Sequence, residues 1–208
     1  MTDNTTLANR VTKLAQRHDR VMIGVVAAPG AGKSTLVQQL MPILADAGLP
    51  TVVVPMDGFH LAQDELERLG RADRKGALDT FDGGGYLALL KRLRRNLEPV
   101  VYAPQYRRMG LEESIGSAIA VPQATRVVLT EGNYLLVEEQ PWVGIADLLD
   151  ESWFLTVDED LRQQRLYERH VESGKSPDQA RAFTYGSDQT NAQVVASTRD
   201  RASLIVQR

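Results

Sequence analysis

The sequence contains no cysteine, which excludes disulfide bonds, thiolate zinc sites and cysteine nucleophiles. It also lacks any apolar run near the roughly 18 residues that a membrane-spanning helix requires. The first ten residues are polar and lack the apolar segment of a secretory signal. We therefore expect a cytoplasmic protein that has no membrane partner.

An excess of charge of one sign is missing as well. Lys and Arg number 24 against 27 Asp and Glu, a net charge of −3, whereas nucleic-acid binders usually carry a strong basic excess. No nucleic-acid partner is therefore expected. The 208 residues contain no linker rich in Pro, Gly or Ser, so we predict a single domain over residues 1–208. The sequence leaves the oligomeric state open, a homodimer included.

Five apolar, mostly β-branched runs predict buried strands over 21–26, 51–54, 126–130, 153–157 and 204–206. Helical spacing predicts helices over 7–18, 33–47, 61–70, 86–97, 141–149, 158–172, 177–185 and 190–200. Residues 74–85 are predicted as a loop with Gly83–Gly85 as a breaker, and 100–125 as irregular or short strands. Strands that alternate with helices indicate an α/β fold with a mainly parallel five-stranded sheet and helices on both faces.

The stretch between the first predicted strand and the next helix resembles the phosphate-binding P-loop pattern, G-x-x-x-x-G-K-[ST]. Glycines let backbone N–H groups curve around phosphate oxygens, and the following helix N-terminus favours anions. We expect Lys33 to reach the β- and γ-phosphates and Ser34 to ligate Mg²⁺, so ATP and Mg²⁺ are the predicted cofactors. Ala27 replaces the first glycine, which the loop tolerates if φ stays negative there. The predicted nucleotide-binding residues are Pro29, Gly30, Ala31, Gly32, Lys33, Ser34 and Thr35.

Two carboxylates follow predicted strands, where the ligand crevice of an open α/β sheet lies. Asp57 comes just after the second strand, where a carboxylate can take a proton from an acceptor hydroxyl or orient Mg²⁺. Glu131 ends the third strand and is the predicted second metal-site residue. The alternatives are a helix-capping aspartate and a solvated glutamate at a strand end.

Three arginines, Arg162, Arg165 and Arg169, are spaced by three and four residues, which places them on one face of a helix. Guanidinium groups suit phosphate oxygens and the charge that develops during phosphoryl transfer. With the polar tip at 172–177, they predict a helical lid over about residues 158–185. The alternative is a solvated cationic face. We assign catalytic roles to Lys33, Asp57, Arg165 and Arg169.

Other P-loop classes lack support. The sequence has neither the guanine-reading Asn/Thr-Lys-x-Asp motif nor the Leu-Ser-Gly-Gly signature of transport ATPases. Instead, a fixed order of motifs runs along the chain: the P-loop, Met-Asp-Gly-Phe-His, Arg-Lys-Gly, Phe-Asp, Ala-Pro-Gln-Tyr, Thr-Glu-Gly-Asn-Tyr and the arginine lid.

This order resembles the uridine kinase, phosphoribulokinase and bacterial pantothenate kinase superfamily over about residues 20–206. It is most similar to a bacterial branch labelled "nucleoside/nucleotide kinase family" or "fructose transport system kinase". The resemblance implies a P-loop nucleoside-triphosphate hydrolase fold. It also implies Asp57 as the base, Glu131 as support for Mg²⁺ and substrate, and contacts of Arg165 and Arg169 with the transferring phosphate. Uridine kinases carry Tyr-Asp where this chain has Tyr106-Arg107, which does not favour a nucleoside acceptor.

Several polar residues are predicted to line the acceptor side: His60, Arg74, Lys75, Tyr106, Arg107 and Asn133. Arg107 and Arg108 form either a pair that holds a substrate carboxylate or phosphate, or a solvated pair; His170 receives no functional role. The resulting hypothesis is an ATP- and Mg²⁺-dependent phosphotransferase whose small-molecule acceptor is an alcohol group of a sugar or sugar-like metabolite, with fructose suggested by the resemblance alone. A nucleoside or pantothenate-like acceptor is one alternative, and a nucleotide-binding regulator or ATPase without a metabolite acceptor is another.

Overall fold

The computed structural model describes residues 2–107 and 112–208. Its helices, in chain order, are α1 (Asn4–Ala15), α2 (Lys33–Asp46), α3 (Gln63–Arg68), α4 (Gly83–Arg95), α5 (Glu159–Glu172), α6 (Pro177–Tyr185) and α7 (Ser187–Ala196). Its strands are β1 (Val21–Val26), β2 (Thr51–Pro55), β3 (Val100–Arg107), β4 (Glu113–Pro122), β5 (Val127–Gly132), β6 (Glu151–Thr156) and β7 (Leu204–Gln207). No helix in these two ranges is long and apolar enough to cross a membrane.

The main sheet has five strands in the order β2-β5-β1-β6-β7, and each neighbouring pair runs parallel. The predicted α/β fold with a five-stranded sheet is therefore confirmed. All six residues of the central strand β1 are buried, since helices cover both faces. Alternate side chains of this strand enter two cores: Val21, Ile23 and Val25 pack with α1 and α2, whereas Met22 and Val26 pack on the α4 side.

The predicted loop over 74–85 is wrong at its end, because Gly83–Gly85 forms the first turn of α4. The Asp82 carboxylate accepts a hydrogen bond from the Gly85 amide at 2.7 Å and caps the helix. Gly83 also has a packing role: a Cβ there would lie 2.9 Å from Pro141 Cγ and 3.0 Å from the Trp142 ring. Close packing against Pro141 and Trp142 therefore requires the first glycine of the run.

The helix predicted over 141–149 is also wrong. The segment consists of turns and a short 3₁₀ turn at Ala146–Leu148. Trp142 and Ile145 are buried in the core, so their apolar spacing reflects burial of a connection rather than a helix face. Gly144 adopts a left-handed φ of 89°, which interrupts any continuous helix.

Residues 100–125 contain two long strands rather than irregular structure, because β3 and β4 pair as an antiparallel hairpin. Val101 and Ala103 are buried while Tyr102 between them is exposed, so the apolar signal is confined to one face of the hairpin. The hairpin packs against the 3₁₀ turn Met56–Phe59, where a Cβ on Gly58 would lie 2.4 Å from the Pro104 carbonyl oxygen. This close approach holds the chain that follows β2 at the edge of the sheet.

Candidate active site

One cleft of about 880 Å³ lies at the carboxyl ends of β1, β2 and β5. Parallel pairing explains its position, since the register sets Val25 beside Glu131 and Glu131 beside Pro55. Most of the sequence-predicted site residues line it: Pro29, Gly30, Ala31, Gly32, Lys33, Ser34, Thr35, Asp57, His60, Tyr106, Glu131, Asn133, Arg165 and Arg169.

The P-loop uses its glycines at the two positions that require them. Gly30 and Gly32 have φ values of 83° and 91°, which L side chains rarely adopt. A Cβ on Gly30 would also lie 2.7 Å from the carbonyl oxygen of Arg162 in α5. Ala27 is buried and its φ is not positive. Alanine therefore fits the first position of the loop.

Two polar side chains of the P-loop reach residues at the end of β5. Lys33 Nζ donates to Asn133 Oδ1 at 2.7 Å and to the Ala27 carbonyl at 2.9 Å. The Ser34 hydroxyl donates to Glu131 Oε1 at 2.8 Å, and Glu131 is only 6% exposed. A lysine ammonium, a hydroxyl and a buried carboxylate thus meet at the mouth of the loop.

The turn that carries Asp57 is fixed by its neighbours. His60 Nδ1 lies 2.7 Å from the Asp57 carbonyl oxygen. Because a carbonyl oxygen only accepts, Nδ1 is the donor in this hydrogen bond. The His60 ring stacks between Phe81 and Tyr106, with centroid distances of 4.0 and 4.5 Å. These contacts form a rigid aromatic wall beside Asp57.

The three arginines of α5 do not act alike. Arg165 and Arg169 line the cleft, whereas Arg162 is 2% exposed. Arg162 neither lines the cleft beside the other two arginines nor is solvated. Both interpretations of its place on the arginine face are therefore wrong for this residue. Its Nη1 donates to the Pro29 carbonyl at 2.9 Å, and its Nη2 donates to Gln189 Oε1 at 2.6 Å. Arg162 thus ties α5 to the P-loop.

A second pair of bonds holds the Arg162 guanidinium. Its Nε and Nη2 donate to the Glu159 carboxylate at 2.8 and 2.6 Å, and this contact lowers the pKa of Glu159 below its ordinary value. The bidentate geometry fixes the plane of the guanidinium, and therefore the direction in which it meets the P-loop.

Two predicted substrate residues do not reach the cleft. Arg74 Nη2 pairs with Asp79 Oδ2 at 2.9 Å, and this hydrogen bond lowers the pKa of the Asp79 carboxyl. Arg107 is exposed on β3, and Arg108, the other half of the predicted pair, lies outside the described residues. Lys75, the neighbour of Arg74, does line the cleft.

Sequence reasoning assigned no site role to five cleft-lining residues of the lid side: His170, Ser173, Lys175, Phe183 and Asp188. His170 Nε2 lies 2.7 Å from Asp188 Oδ2, and Lys175 Nζ lies 5.1 Å from the centroid of the Phe183 ring. Among these residues, only His170 could have been suspected of lining the cleft from the sequence, because it directly follows Arg169. Its pairing with Asp188 joins two helices and has no pattern in the sequence.

The Tyr134 hydroxyl is influenced by two carboxylates of the cleft, those of Asp57 and Asp188. Burial raises the pKa of its hydroxyl, and the negative charges of Asp188 and Asp57 raise it further. The hydroxyl donates to the Gly76 carbonyl at 2.7 Å. Tyr134 therefore fixes the segment that carries Lys75 close to the acidic part of the cleft.

We predict that an Arg162→Lys substitution raises the KM for ATP about tenfold, because a lysine keeps the charge but loses the fork that positions Pro29. Arg20→Lys is the matched control. Arg20 is 5% exposed and likewise donates to backbone carbonyls, those of Leu93, Pro122, Gln123 and Thr125. Both variants should lose about 1–3 kcal/mol of unfolding free energy. Equal KM values for ATP in the two variants would contradict the positioning role.

Comparisons with known proteins identify the family of this chain. The model of the phosphoribulokinase/uridine kinase family matches residues 22–208. An ATP-dependent kinase-like protein of Aspergillus versicolor is 39% identical over 134 residues, which cover 61% of this chain and 77% of the relative. A protein of Schizosaccharomyces pombe named "putative uridine kinase" is 33% identical over 178 residues, which cover 81% of this chain and 74% of the relative. A crystal structure from Silicibacter sp. TM1040, described as a "putative fructose transport system kinase", superposes with a TM-score of 0.89 at 34% identity and covers 99% of both chains.

Proposed function

The chain belongs to the phosphoribulokinase/uridine kinase family of P-loop kinases, and from this premise we propose that it transfers the γ-phosphoryl group of ATP to a hydroxyl group of a sugar-like metabolite. The observation that supports this most is that Asp57 and the P-loop residues Lys33 and Ser34 line the same cleft. A nucleotide-binding regulator would need the P-loop but no carboxylate beside a second subsite.

The proposed reaction forms a bond from the acceptor oxygen to the γ-phosphorus and breaks the bond from that phosphorus to the β,γ-bridging oxygen, which leaves with ADP. Asp57 accepts the proton of the acceptor hydroxyl. Lys33, Arg165 and Arg169 stabilise the negative charge of the transferring group and of the leaving oxygen. The lid, about residues 158–185, excludes water from this charge, which favours transfer over hydrolysis.

The residues present fit a magnesium ion. Ser34 Oγ and Glu131 Oε1 are 2.8 Å apart, and oxygen ligands of this kind are those that Mg²⁺ prefers. Within residues 2–107 and 112–208, no cluster of three or more His, Asp or Glu side chains forms a separate metal site. Proteins usually bind Mg²⁺ through one or two carboxylates together with substrate phosphates. When bound, the ion neutralises charge on the β- and γ-phosphate oxygens.

A Glu131→Gln variant is expected to need about tenfold more Mg²⁺ for half-maximal activity, because the amide keeps the size of the side chain but loses its charge. The measurement is a Mg²⁺ titration of ADP formation at saturating ATP. Glu98→Gln, which removes an exposed partner of Arg92, serves as the control and should leave the midpoint unchanged. An unchanged midpoint in Glu131→Gln would place the metal elsewhere.

The acceptor class is tested by ADP release in the presence of ATP and Mg²⁺ with sugars, sugar derivatives, nucleosides and pantothenate offered in turn. The proposed function predicts that sugars or their derivatives stimulate ADP release. Stimulation by a nucleoside or by pantothenate alone would assign the site to that acceptor class. Tight ATP binding without stimulation by any acceptor would favour a nucleotide-binding regulator.

A further inference from the structure

His170 joins helices α5, α6 and α7. Its Nε2 lies 2.7 Å from Asp188 Oδ2 in α7, and because an ionised carboxylate only accepts, Nε2 is the donor. The centroid of its ring lies 5.5 Å from that of the Phe183 ring in α6. The side chains of His170 and Asp188 are both only 14% exposed, so water competes little for their hydrogen bond. One side chain of α5 thus meets both of the helices that follow it.

Two adjacent residues of α7 contact α5 at points about two turns apart. Gln189 Oε1 accepts a hydrogen bond from Arg162 Nη2 at 2.6 Å near the beginning of α5, and Asp188 pairs with His170 near its end. Positions 162 and 170 are separated by about 12 Å along a helix. Between these two contacts lie the arginines that line the cleft, Arg165 and Arg169.

The beginning of α5 is also held by the P-loop. A Cβ on Gly30 would lie 2.7 Å from the Arg162 carbonyl oxygen and 3.2 Å from Leu166 Cβ, so helix and loop are in close contact there. Arg169 and His170 lie about one turn beyond Leu166, towards the polar tip at 172–177. At this end of the helix, the bond of His170 to Asp188 supplies a connection to α7.

Helix α7 is fixed to the body of the protein. Val195 is fully buried in the core on the α4 side of the sheet, and Asn191 and Ala192 are buried as well. Asp188 lies in the first turn of this helix, where the partial positive charge of the N-terminus favours an ionised carboxylate. The carboxylate that His170 meets therefore belongs to a firmly anchored element outside the lid.

We propose that His170 is a positioning residue for phosphoryl transfer: through Asp188 it holds the end of α5 on α7 and thereby fixes Arg169 at the transferring phosphate. The inference rests on the proposed function, in which Arg169 stabilises the charge of the transferring group. Such a guanidinium is most effective when it is already in place, because a displacement of about 1 Å can cost about 10²-fold in rate. His170 acts through its neighbour and needs no contact with either substrate.

The kinetics of single and double variants test this role. His170→Ala is expected to reduce kcat about tenfold or more, with a smaller change in the KM for ATP. His170→Gln, whose amide nitrogen can still donate to Asp188, should restore most of the loss. In an Arg169→Ala background, His170→Ala should cause no further loss, because its effect passes through that arginine. Losses that multiply in the double variant would show a general structural defect and overturn the proposal.

His18→Ala is the matched control. His18 Nδ1 lies 3.9 Å from Asp150 Oδ1, so this is a second histidine beside an aspartate, and neither of the two residues lines the cleft. The substitution should leave kcat unchanged. Melting temperatures are recorded for every variant, and a loss of kcat in His170→Ala that is matched by an equal loss in His18→Ala would overturn the positioning role.

Hydrogen exchange tests the proposed contact itself. The amides of residues 167–173 are followed by mass spectrometry in protein saturated with Mg²⁺ and a non-hydrolysable ATP analogue. His170→Ala should raise their exchange rate about fivefold, the factor that one net hydrogen bond contributes to a local opening equilibrium, and His170→Gln should remain near wild type. A lower kcat with unchanged exchange, or faster exchange with unchanged kcat, would overturn the proposal.

Transfer to water separates this proposal from the proposed function. Slow release of inorganic phosphate from ATP without an acceptor places the same charge on the transferring group, so it should depend on Arg169 and His170 in the same way. An Arg169-dependent loss of this activity in His170→Ala, together with faster exchange, supports the proposal even if no metabolite is phosphorylated and the proposed function fails. Asp57-dependent phosphorylation of an acceptor that His170→Ala leaves at the wild-type rate would overturn the proposal and leave the function standing.

Discussion

An Asp57→Asn variant is expected to bind ATP with near-native affinity and to lose about 10²–10⁴-fold of its acceptor phosphorylation. The amide has the size of the carboxylate but cannot take the proton of the acceptor hydroxyl. The backbone at Asp57 is held by His60 and by the close approach of Gly58 to the Pro104 carbonyl, so the substitution leaves the position of the side chain intact. The loss should therefore appear in kcat rather than in the KM for ATP.

The measurement compares single-turnover phosphorylation with nucleotide binding in the same preparation. Asp64→Asn, an exposed aspartate of α3 in the same region of the chain, serves as the control and should keep full activity. If Asp57→Asn retains near-normal turnover with the productive acceptor, Asp57 is not the base. If it loses ATP affinity and turnover in parallel, its carboxylate supports Mg²⁺ instead.

A Lys33→Met variant is expected to lose about 10²–10³-fold in kcat, with a weaker affinity for ATP. Lys33 Nζ is bonded to the Asn133 side chain and the Ala27 carbonyl, two neutral oxygens that charged phosphate oxygens readily replace. Methionine retains the length of the stem but neither the charge nor the donors. The expected loss is larger in the transition state because negative charge on the leaving group grows during transfer.

Two further variants sharpen this result. Lys13→Met removes an exposed lysine of α1 and should change neither parameter. Asn133→Ala removes one of the oxygens bonded to Lys33 but leaves its ammonium in place, so it should reduce kcat much less than Lys33→Met does. A Lys33→Met protein with wild-type kcat would show that the P-loop lysine does not stabilise the transferred group.

The main sheet could be predicted because its strands are buried on both faces and appear as continuous apolar runs. The β3–β4 hairpin could not, since only one of its faces is buried and its apolar positions are diluted by exposed ones. Trp142 and Ile145 have helical spacing, yet they belong to a turn that fills the core, and spacing alone does not distinguish the two. Gly83–Gly85 signals a break, but Asp82 caps a helix that begins there.

The candidate site follows the same division. The P-loop, Asp57 and Glu131 could be foreseen because they follow strands whose carboxyl ends meet at one edge of the sheet. The different roles of Arg162 and Arg165 could not, since both have the spacing of one helix face and only packing against Pro29 separates them. Arg74 and Lys75 are adjacent in an irregular segment without periodicity. Arg74 pairs locally with Asp79, whereas Lys75 reaches the distant Glu112 carbonyl, and no sequence pattern shows which of the two lines the cleft.

Transfer of the terminal phosphate is the central claim, and an isotope experiment with ATP labelled at the γ-phosphorus tests it most directly. Protein, Mg²⁺ and labelled ATP are incubated with sugars, sugar derivatives, nucleosides and pantothenate in turn, and organic phosphate is separated from inorganic phosphate. The account predicts label in an acceptor phosphate ester in a one-to-one ratio with ADP, and little label in either fraction with Asp57→Asn. Label that appears only as inorganic phosphate, at the same rate with every acceptor and in Asp57→Asn, would contradict it.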